Sequence, residues 1–408
     1  MKKLLLSLIT LVMAMTAWAD VGDEFTADGM KYKVTSESPK TVELVLCGKG
    51  STAGALTIPA TVNGYSVTSI GDWALTDCYE LTSLTLPNSL TSIGQFAFDN
   101  CHQVTSITIP CGVTTIGDGA FSGCSSLSSI NIPDGVTSIS KELFLNCFCL
   151  KSINIPESVT SIGDGAFWGC IGLTDINIPE GVTSIGKNMF EDCISLKTIN
   201  IPDGVTSIGA EAFANCSSLS SIILPNGVTS IDTGAFADCS SLSTIILPNS
   251  VTSIGSGAFY CCSSLKSINI PDGVTSISEN LFRACNSLET ITIPATVTSI
   301  CDYAFYRCTG MKDIYCHANP LSLTWLQTSS HNLMPDKQTK CHVTGEVAVW
   351  EKNFPTVNVT FVGDLADCIE QPLSSLPRGE ELYNLQGQRI NSLQKGINII
   401  NEKKVWVK

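Results

Sequence analysis

Histidine is scarce in this chain, with four in 408 residues. That leaves little material for imidazole catalysis or a histidine-rich metal site. Charged residues make up only 15%, and 23 Lys and Arg stand against 37 Asp and Glu, for a formal net charge of −14. Nucleic acid is a poor partner for such a surface, because phosphate contacts need clustered Lys and Arg. No long apolar run follows the N-terminal region, so no membrane span is expected. The signatures Gly-x-Ser-x-Gly and His-Glu-x-x-His are missing, as is a P-loop, so the chemistry they carry is not expected either. What remains is a chain that is 44% hydrophobic and holds nineteen cysteines. It is too apolar to be disordered.

The N-terminus has the pattern of a secretion signal. Lys2 and Lys3 precede an apolar stretch from Leu4 to Met15, and Ala17-Trp18-Ala19 fits the small-x-small cleavage pattern. A signal peptide is expected over 1–19, with Asp20 first in the mature chain. A spanning helix needs about 20 apolar residues, and Asp20 ends this run too soon. No cysteine lies at the cleavage point to carry a lipid. The mature protein is expected to be secreted or at the cell surface.

A length prior of roughly 150 residues per domain suggests two or three domains, but internal periodicity overrides it. A proline recurs every 23 residues from Pro87 to Pro294, and a cysteine does so from Cys78 to Cys308. Pro59, 28 residues before Pro87, marks one irregular unit ahead of the series. The unit reads C-x-x-L-x-x-I-x-I-P-x-x-V-T-x-I-x-x-x-A-F-x-x, and Cys193 to Asn215 is a clean copy.

In that copy Ile199 and Ile201 alternate as in a short strand with one buried face. Pro202 ends the strand because it cannot donate to a ladder. Asp203-Gly204 is turn chemistry, and Val205 to Ile208 is a second extended piece. Ala212-Phe213 returns a ring to the interior. A single coil buries about six large apolar side chains at about 1.5–3 kcal/mol each. Ordering its backbone costs roughly 1–2 kcal/mol per residue. Coils therefore have to stack and share a core, which makes the chain a solenoid. Adjacent strands should pair in parallel about 4.8 Å apart, with the phenylalanines from Phe98 to Phe305 as an inner spine.

The periodic cysteines invite a disulfide reading in an exported chain. Stacked equivalents should hold their Cβ atoms near the strand separation of about 4.8 Å, whereas a disulfide needs about 3.8 Å. Small apolar thiols filling one inward slot are expected instead. Disulfides stay open for the other eight: Cys47, Cys111, Cys149, Cys261, Cys301, Cys316, Cys341 and Cys368.

The Leu-x-x-Ile-x-Ile pattern with a fixed cysteine resembles the leucine-rich repeat. The 23-residue step, the I-P-x-x-V-T-x-I-G stretch and the A-F-x-x-C corner are similar to the BspA-type, or Treponema pallidum-type, subclass, over roughly Leu56 to Ile314. The segment Phe25 to Val45 is similar to the β-rich N-terminal cap of such proteins in Bacteroidetes. The resemblance implies a mostly β chain with short helical or irregular corners. It would be a right-handed leucine-rich repeat solenoid with a parallel sheet face, a β-rich N-terminal cap and an irregular C-terminal cap. It also implies a surface or secreted location, and some members are adhesins. The expected divisions are a signal at 1–19, an N-terminal cap at 20–55, repeats at 56–314, a C-terminal cap at 315–370 and a linker at 371–381. The tail at 382–408 is similar to sorting or attachment tails of exported Bacteroidetes proteins, which implies cell-envelope attachment. A plain terminal β-hairpin is the alternative.

Candidate chemistry is thin. Cys316-His317 and Cys341-His342 match a zinc site in number but not in spacing, because adjacent residues point to opposite sides of an extended chain. The acidic row Asp134, Glu157, Glu180, Asp203 and Asp272 could collect Ca²⁺, yet each acid opens an ordinary turn and a solvated edge is expected. No metal and no cofactor is expected. The outward strand column is more informative. Asn131, Asn154, Asn177 and Asn200 lead to Ile223 and Ile246, and Asn269 follows. Compact amides suit peptide or glycan contacts, and the two isoleucines make an apolar patch among them. The amides could equally bond along the stack. Trp168, Tyr260 and Tyr306, each directly after a column phenylalanine, mark a second candidate face. A non-enzymatic protein binding a host or microbial surface protein or glycan through its sheet face is expected. A surface spacer without a ligand is the alternative.

Overall fold

The structure, a computed structural model, describes residues 20–47, 53–325, 339–354, 357 and 359–363, together with four backbone strands between 382 and 407. The expected signal 1–19, the linker 371–381 and Cys368 lie outside the described residues. Three strands open the chain: β1 (Glu24–Ala27), β2 (Met30–Glu37) and β3 (Lys40–Cys47), paired antiparallel in that order. β3 then runs parallel to Tyr65–Ile70, which leads into Ser92–Ile93 and Thr115–Ile116. The meander thus covers the first edge of a ladder, with Tyr32, Val42 and Leu44 fully buried behind it. Covering an edge removes a row of unpaired backbone groups that would otherwise template aggregation.

From there the coils stack. Where the ladder forms, the first strand of a unit lies in register with its equivalent 23 residues on, as Asn177 does with Asn200 and Ile223 with Ile246. The second, shorter strand does the same, as in Ser207–Ile208 with Ser230–Ile231. The ten phenylalanines from Phe98 to Phe305 are at most 1% exposed. Successive ring centroids are 5.3 to 5.9 Å apart. The expected inner spine is therefore present, one ring per coil.

The corners are neither helical nor irregular. They are regular turns whose backbone bonds run between coils. Asn188, Phe190 and Asp192 donate forward to the carbonyls of Ala210, Ala212 and Ala214 at 2.8 to 2.9 Å, while on the second strand Thr206 donates back to Thr183. Two residues per corner, two before and two after the phenylalanine, take positive φ: Asn188 and Asp192, Glu211 and Asn215, Gly165 and Gly169. Left-handed residues at that spacing forbid an α-helix and point alternate N–H groups along the stack. Coils also approach very closely after the second strand. A Cβ on Gly209 would lie 2.7 Å from the carbonyl carbon of Gly186.

The column cysteines are buried, and none of the seventeen cysteines whose side chains are described forms a disulfide. They have a polar role that apolar filling does not convey. Each thiol from Cys101 to Cys308 donates to a backbone carbonyl of the preceding coil. Examples are Cys124 to Phe98 at 3.2 Å, Cys239 to Phe213 at 3.1 Å and Cys308 to Phe282 at 2.9 Å. The Phe213 carbonyl also accepts the Cys216 N–H, so the thiol supplies a second bond to an acceptor that water cannot reach. Cys111 and Cys149, in contrast, are exposed. In native buffer both are expected to react with a maleimide, and Cys193 only after denaturation. Peptide mass spectrometry reads this directly, and native labelling of Cys193 at the rate of Cys149 would contradict its burial.

Past Ile314 the sheet continues. Asp313–Cys316 pairs parallel with Lys340–Val343, which pairs with Thr360–Val362. The helix Val347–Asn353 buries Trp350 against Phe354 and Phe361. Strands Leu382–Tyr383, Arg389–Ile390, Gly396–Ile400 and Lys403–Val407 form a separate antiparallel sheet. No helix among the described residues is long and apolar enough to cross a membrane.

Candidate functional site

The first strands present one outward residue per coil between two inward aliphatic residues, Ile or Leu. Asn131, Asn154, Asn177, Asn200, Ile223, Ile246 and Asn269 are all exposed, Ile223 by 84% and Ile246 by 57%. Strand alternation places them in one row, with their aliphatic neighbours turned inward.

The amides do not all do the same thing. The Asn131 side chain accepts from the Ile109 N–H at 2.8 Å and donates to the Ile109 carbonyl at 3.0 Å. Asn269 repeats this on Leu247, at 3.1 and 2.8 Å. These two amides patch the backbone of the preceding coil rather than forming an amide ladder. Asn154, Asn177 and Asn200 make no side-chain hydrogen bond to a described residue, so their donors and acceptors face outward.

The sheet face is also interrupted. Thr198–Asn200 pairs with Asp175–Asn177 on one side, but no ladder joins it to Ser221–Ile223, which begins a separate seven-stranded sheet. The other two faces stay bonded across the same junction, through Thr229 to Thr206 and Glu211 to Thr233, both at 2.9 Å. At this junction the ladder therefore lapses on this face only, leaving an opening in the hydrogen bonding like that between Leu81–Thr85 and Ser106–Ile107. Ile199 shows the effect, being half-buried where Ile176 and Ile222 are buried. A trough of about 540 Å³ lies over the opening, lined by Asn177, Thr198, Asn200, Asp203, Ser221 and Ile223. A smaller one of about 340 Å³ sits beside Asn154 and Glu157. Unpaired strand edges, free amides and an exposed isoleucine here give a surface able to hydrogen-bond and to bury apolar area at once.

Other candidates are placed differently. Cys316 and Cys341 point inward, where burial pushes the Cys316 thiol up to about 12. His342 lies on the opposite side of the strand, stacked on Tyr315 with centroids 4.7 Å apart and bonded to Asp313 at 2.9 Å. The thiols and the His342 imidazole thus do not converge. Asp134, Glu157, Glu180, Asp203 and Asp272 are exposed, and no group of three or more potential metal ligands gathers among the described residues. Trp168, Tyr260 and Tyr306 are half-buried, and the Trp168 indole donates to Asp192 at 3.3 Å. Sequence reasoning missed one exposed apolar row: Phe148, Ile171 and Ile194, each directly after a column cysteine. Its signal was available, because other coils carry His102, Ser125 or Ser217 there.

The sequence matches a family model described as BspA type leucine rich repeat region, in six copies over residues 55–174, 160–287 and 235–324. Among solved structures the chain is similar to a leucine rich cell surface protein of Faecalibacterium prausnitzii A2-165. The two are 29% identical with a TM-score of 0.51, over 81% of this chain and 97% of that one. It is also similar to a leucine-rich repeat protein of Bacteroides ovatus, at 28% identity and a TM-score of 0.44 over 74% and 100%. The pneumococcal vaccine antigen PcpA shares the fold at 21% identity and a TM-score of 0.57 over 84% and 99%. No curated protein matches the sequence.

Proposed function

Because the chain belongs to the BspA-type leucine-rich repeat family, we propose that it is an exported, non-enzymatic binding protein. Its sheet face would hold a protein or glycan on a host or microbial surface, in an adhesive role. Similarity to a cell surface protein supports the location, and the Lys2-Lys3 to Ala19 pattern supports export. The observation that carries the reading is the opened junction between Thr198–Asn200 and Ser221–Ile223. There the outward-facing amides of Asn177 and Asn200 lead up to Ile223, which is 84% exposed. With Ile246 beside it in register it makes an exposed apolar pair bordered by unbonded amides, which matches the core-and-rim pattern of binding hot spots.

The test uses the full chain against a panel of immobilised extracellular-matrix proteins and mucin glycans. Ile223→Arg and Asn177→Arg are expected to weaken any retained partner about 30-fold, the effect of losing a hot spot of about 2 kcal/mol. Equal affinity of both variants would rule out the sheet face. Retention of no panel member would favour the spacer role, which the backbone-patching amides of Asn131 and Asn269 also suit.

A further inference from the structure

We propose that the turn face carries a second site, one for the carboxylate-bearing sugars of an acidic polysaccharide. Directly after the column phenylalanine, three consecutive coils carry Tyr260, Arg283 and Tyr306. The Arg283 guanidinium lies between the two rings, 5.6 Å from the Tyr260 centroid and 5.3 Å from that of Tyr306, and 5.7 Å from Tyr303. Arg307 adds a second guanidinium 5.4 Å from Tyr306. Three of the eight tyrosines and two of the four arginines of the chain thus share one patch. The patch is accessible, with Arg307 exposed and the other four residues half-buried.

The charge arrangement points outward. Acids outnumber bases 37 to 23 in this chain, and lysines such as Lys31, Lys141 and Lys312 find carboxylates. Neither Arg283 nor Arg307 has one within 4.0 Å among the described residues. Arg283 Nη1 donates to the Asn280 amide oxygen at 3.2 Å, which orients the fork and leaves its other N–H groups available. Of the nearby acids, Glu279 accepts from the Asn280 amide at 3.2 Å and Asp238 engages the Cys261 thiol. A guanidinium held between rings has already lost its rotamer freedom, so it can grip a carboxylate bidentately with little further ordering.

A peptide is the weaker occupant. Backbone groups of this face are consumed between coils, as in Asp238 to Tyr260 and Ala284 to Tyr306 at 2.7 Å and Cys261 to Arg283 at 2.8 Å. No strand edge is left for a peptide to extend. What remains on offer is aromatic surface and guanidinium forks. A pyranose acid matches that set: its C–H face lies on a tyrosine ring and its carboxylate meets an arginine.

The experiment titrates the full chain with polygalacturonate and polysialic acid, alongside neutral dextran and poly-glutamate. Binding of at least one acidic glycan is expected, weakened about tenfold by Arg307→Gln and further by Arg283→Gln, with dextran and poly-glutamate much weaker. Arg307→Gln alters an exposed side chain, so its loss of binding reports on contact rather than folding, and matched melting curves verify this. Failure of both acidic glycans, equal binding of dextran or poly-glutamate, or wild-type affinity in the double variant would each overturn the proposal. Ile223→Arg should leave this binding unchanged, which separates the site from the sheet face.

Discussion

Raising the pH from 8 to about 10.5 is expected to unfold this protein in a steep transition, with the melting temperature flat below pH 8.5 and collapsing above it. The cause is the cysteine column. Burial pushes the thiols of Cys147, Cys193, Cys216, Cys239, Cys262 and Cys285 well above their ordinary value, and those of Cys170 and Cys308 up to about 12. In the unfolded chain each ionises near 8.5–9. Above that pH the unfolded state sheds protons that the folded state keeps, so stability falls as pH rises, and it is fully present only below the unfolded value. One fully coupled thiol contributes about 1.4 kcal/mol per pH unit. Eight together give a slope of about 11 kcal/mol per unit, against a total stability of order 5–15 kcal/mol for an ordinary domain. Thermal melts under reducing conditions, at half-unit pH steps, measure it. Replacing Cys170, Cys193 and Cys216 by serine keeps a donor for the facing carbonyls but removes three titrating groups. The slope should then drop by about 4 kcal/mol per unit. A melting temperature unchanged between pH 8 and 10 would refute the linkage.

Much of this architecture is legible in the chain because a solenoid writes the same physics every 23 residues. The stacking of Phe190 on Phe213 and the inward Cys193 follow from spacing alone, since equivalent residues must share a direction. The exposed row from Asn131 to Asn269 follows from strand alternation. What spacing could not convey lies in the backbone. Cysteine reads as a small hydrophobe, so its bond to the phenylalanine carbonyl of the preceding coil stays hidden until the coils are in place. The corners resemble short helices because Ala212-Phe213 suits a helix. The positive φ of Glu211 and Asn215 decides otherwise, and only the recurrence of Gly, Asn and Asp at several of these positions hints at it. The opening between Asn200 and Ile223 has no residue signature, as the repeat runs on unbroken through Lys197 and Ser220. Arg283 escapes notice because its meaning comes from Tyr260 and Tyr306, one coil away on either side.

Phe213→Ala is expected to cost about 3–5 kcal/mol, the range for emptying a buried aromatic site. The ring sits between those of Phe190 and Phe236, at 5.4 and 5.3 Å, so its removal deletes two stacked contacts as well as the apolar burial. Neighbouring coils cannot close the gap, because the thiol of Cys216 is bonded to the Phe190 carbonyl and that of Cys239 to the Phe213 carbonyl. Those bonds, with the inter-coil turn bonds, hold the coils at their spacing. In a stack where each coil contacts only its neighbours, the weakened junction should also divide the cooperative unit. Urea unfolding of the variant is therefore expected to split into two transitions, each with a smaller m-value than the single wild-type transition. Phe213→Leu, which refills most of the volume, should cost much less and keep one transition. A loss below about 1 kcal/mol for the alanine variant would mean that the spine does not hold the coils together. An undivided transition would mean that cooperativity passes through the ladders and the thiol–carbonyl bonds instead.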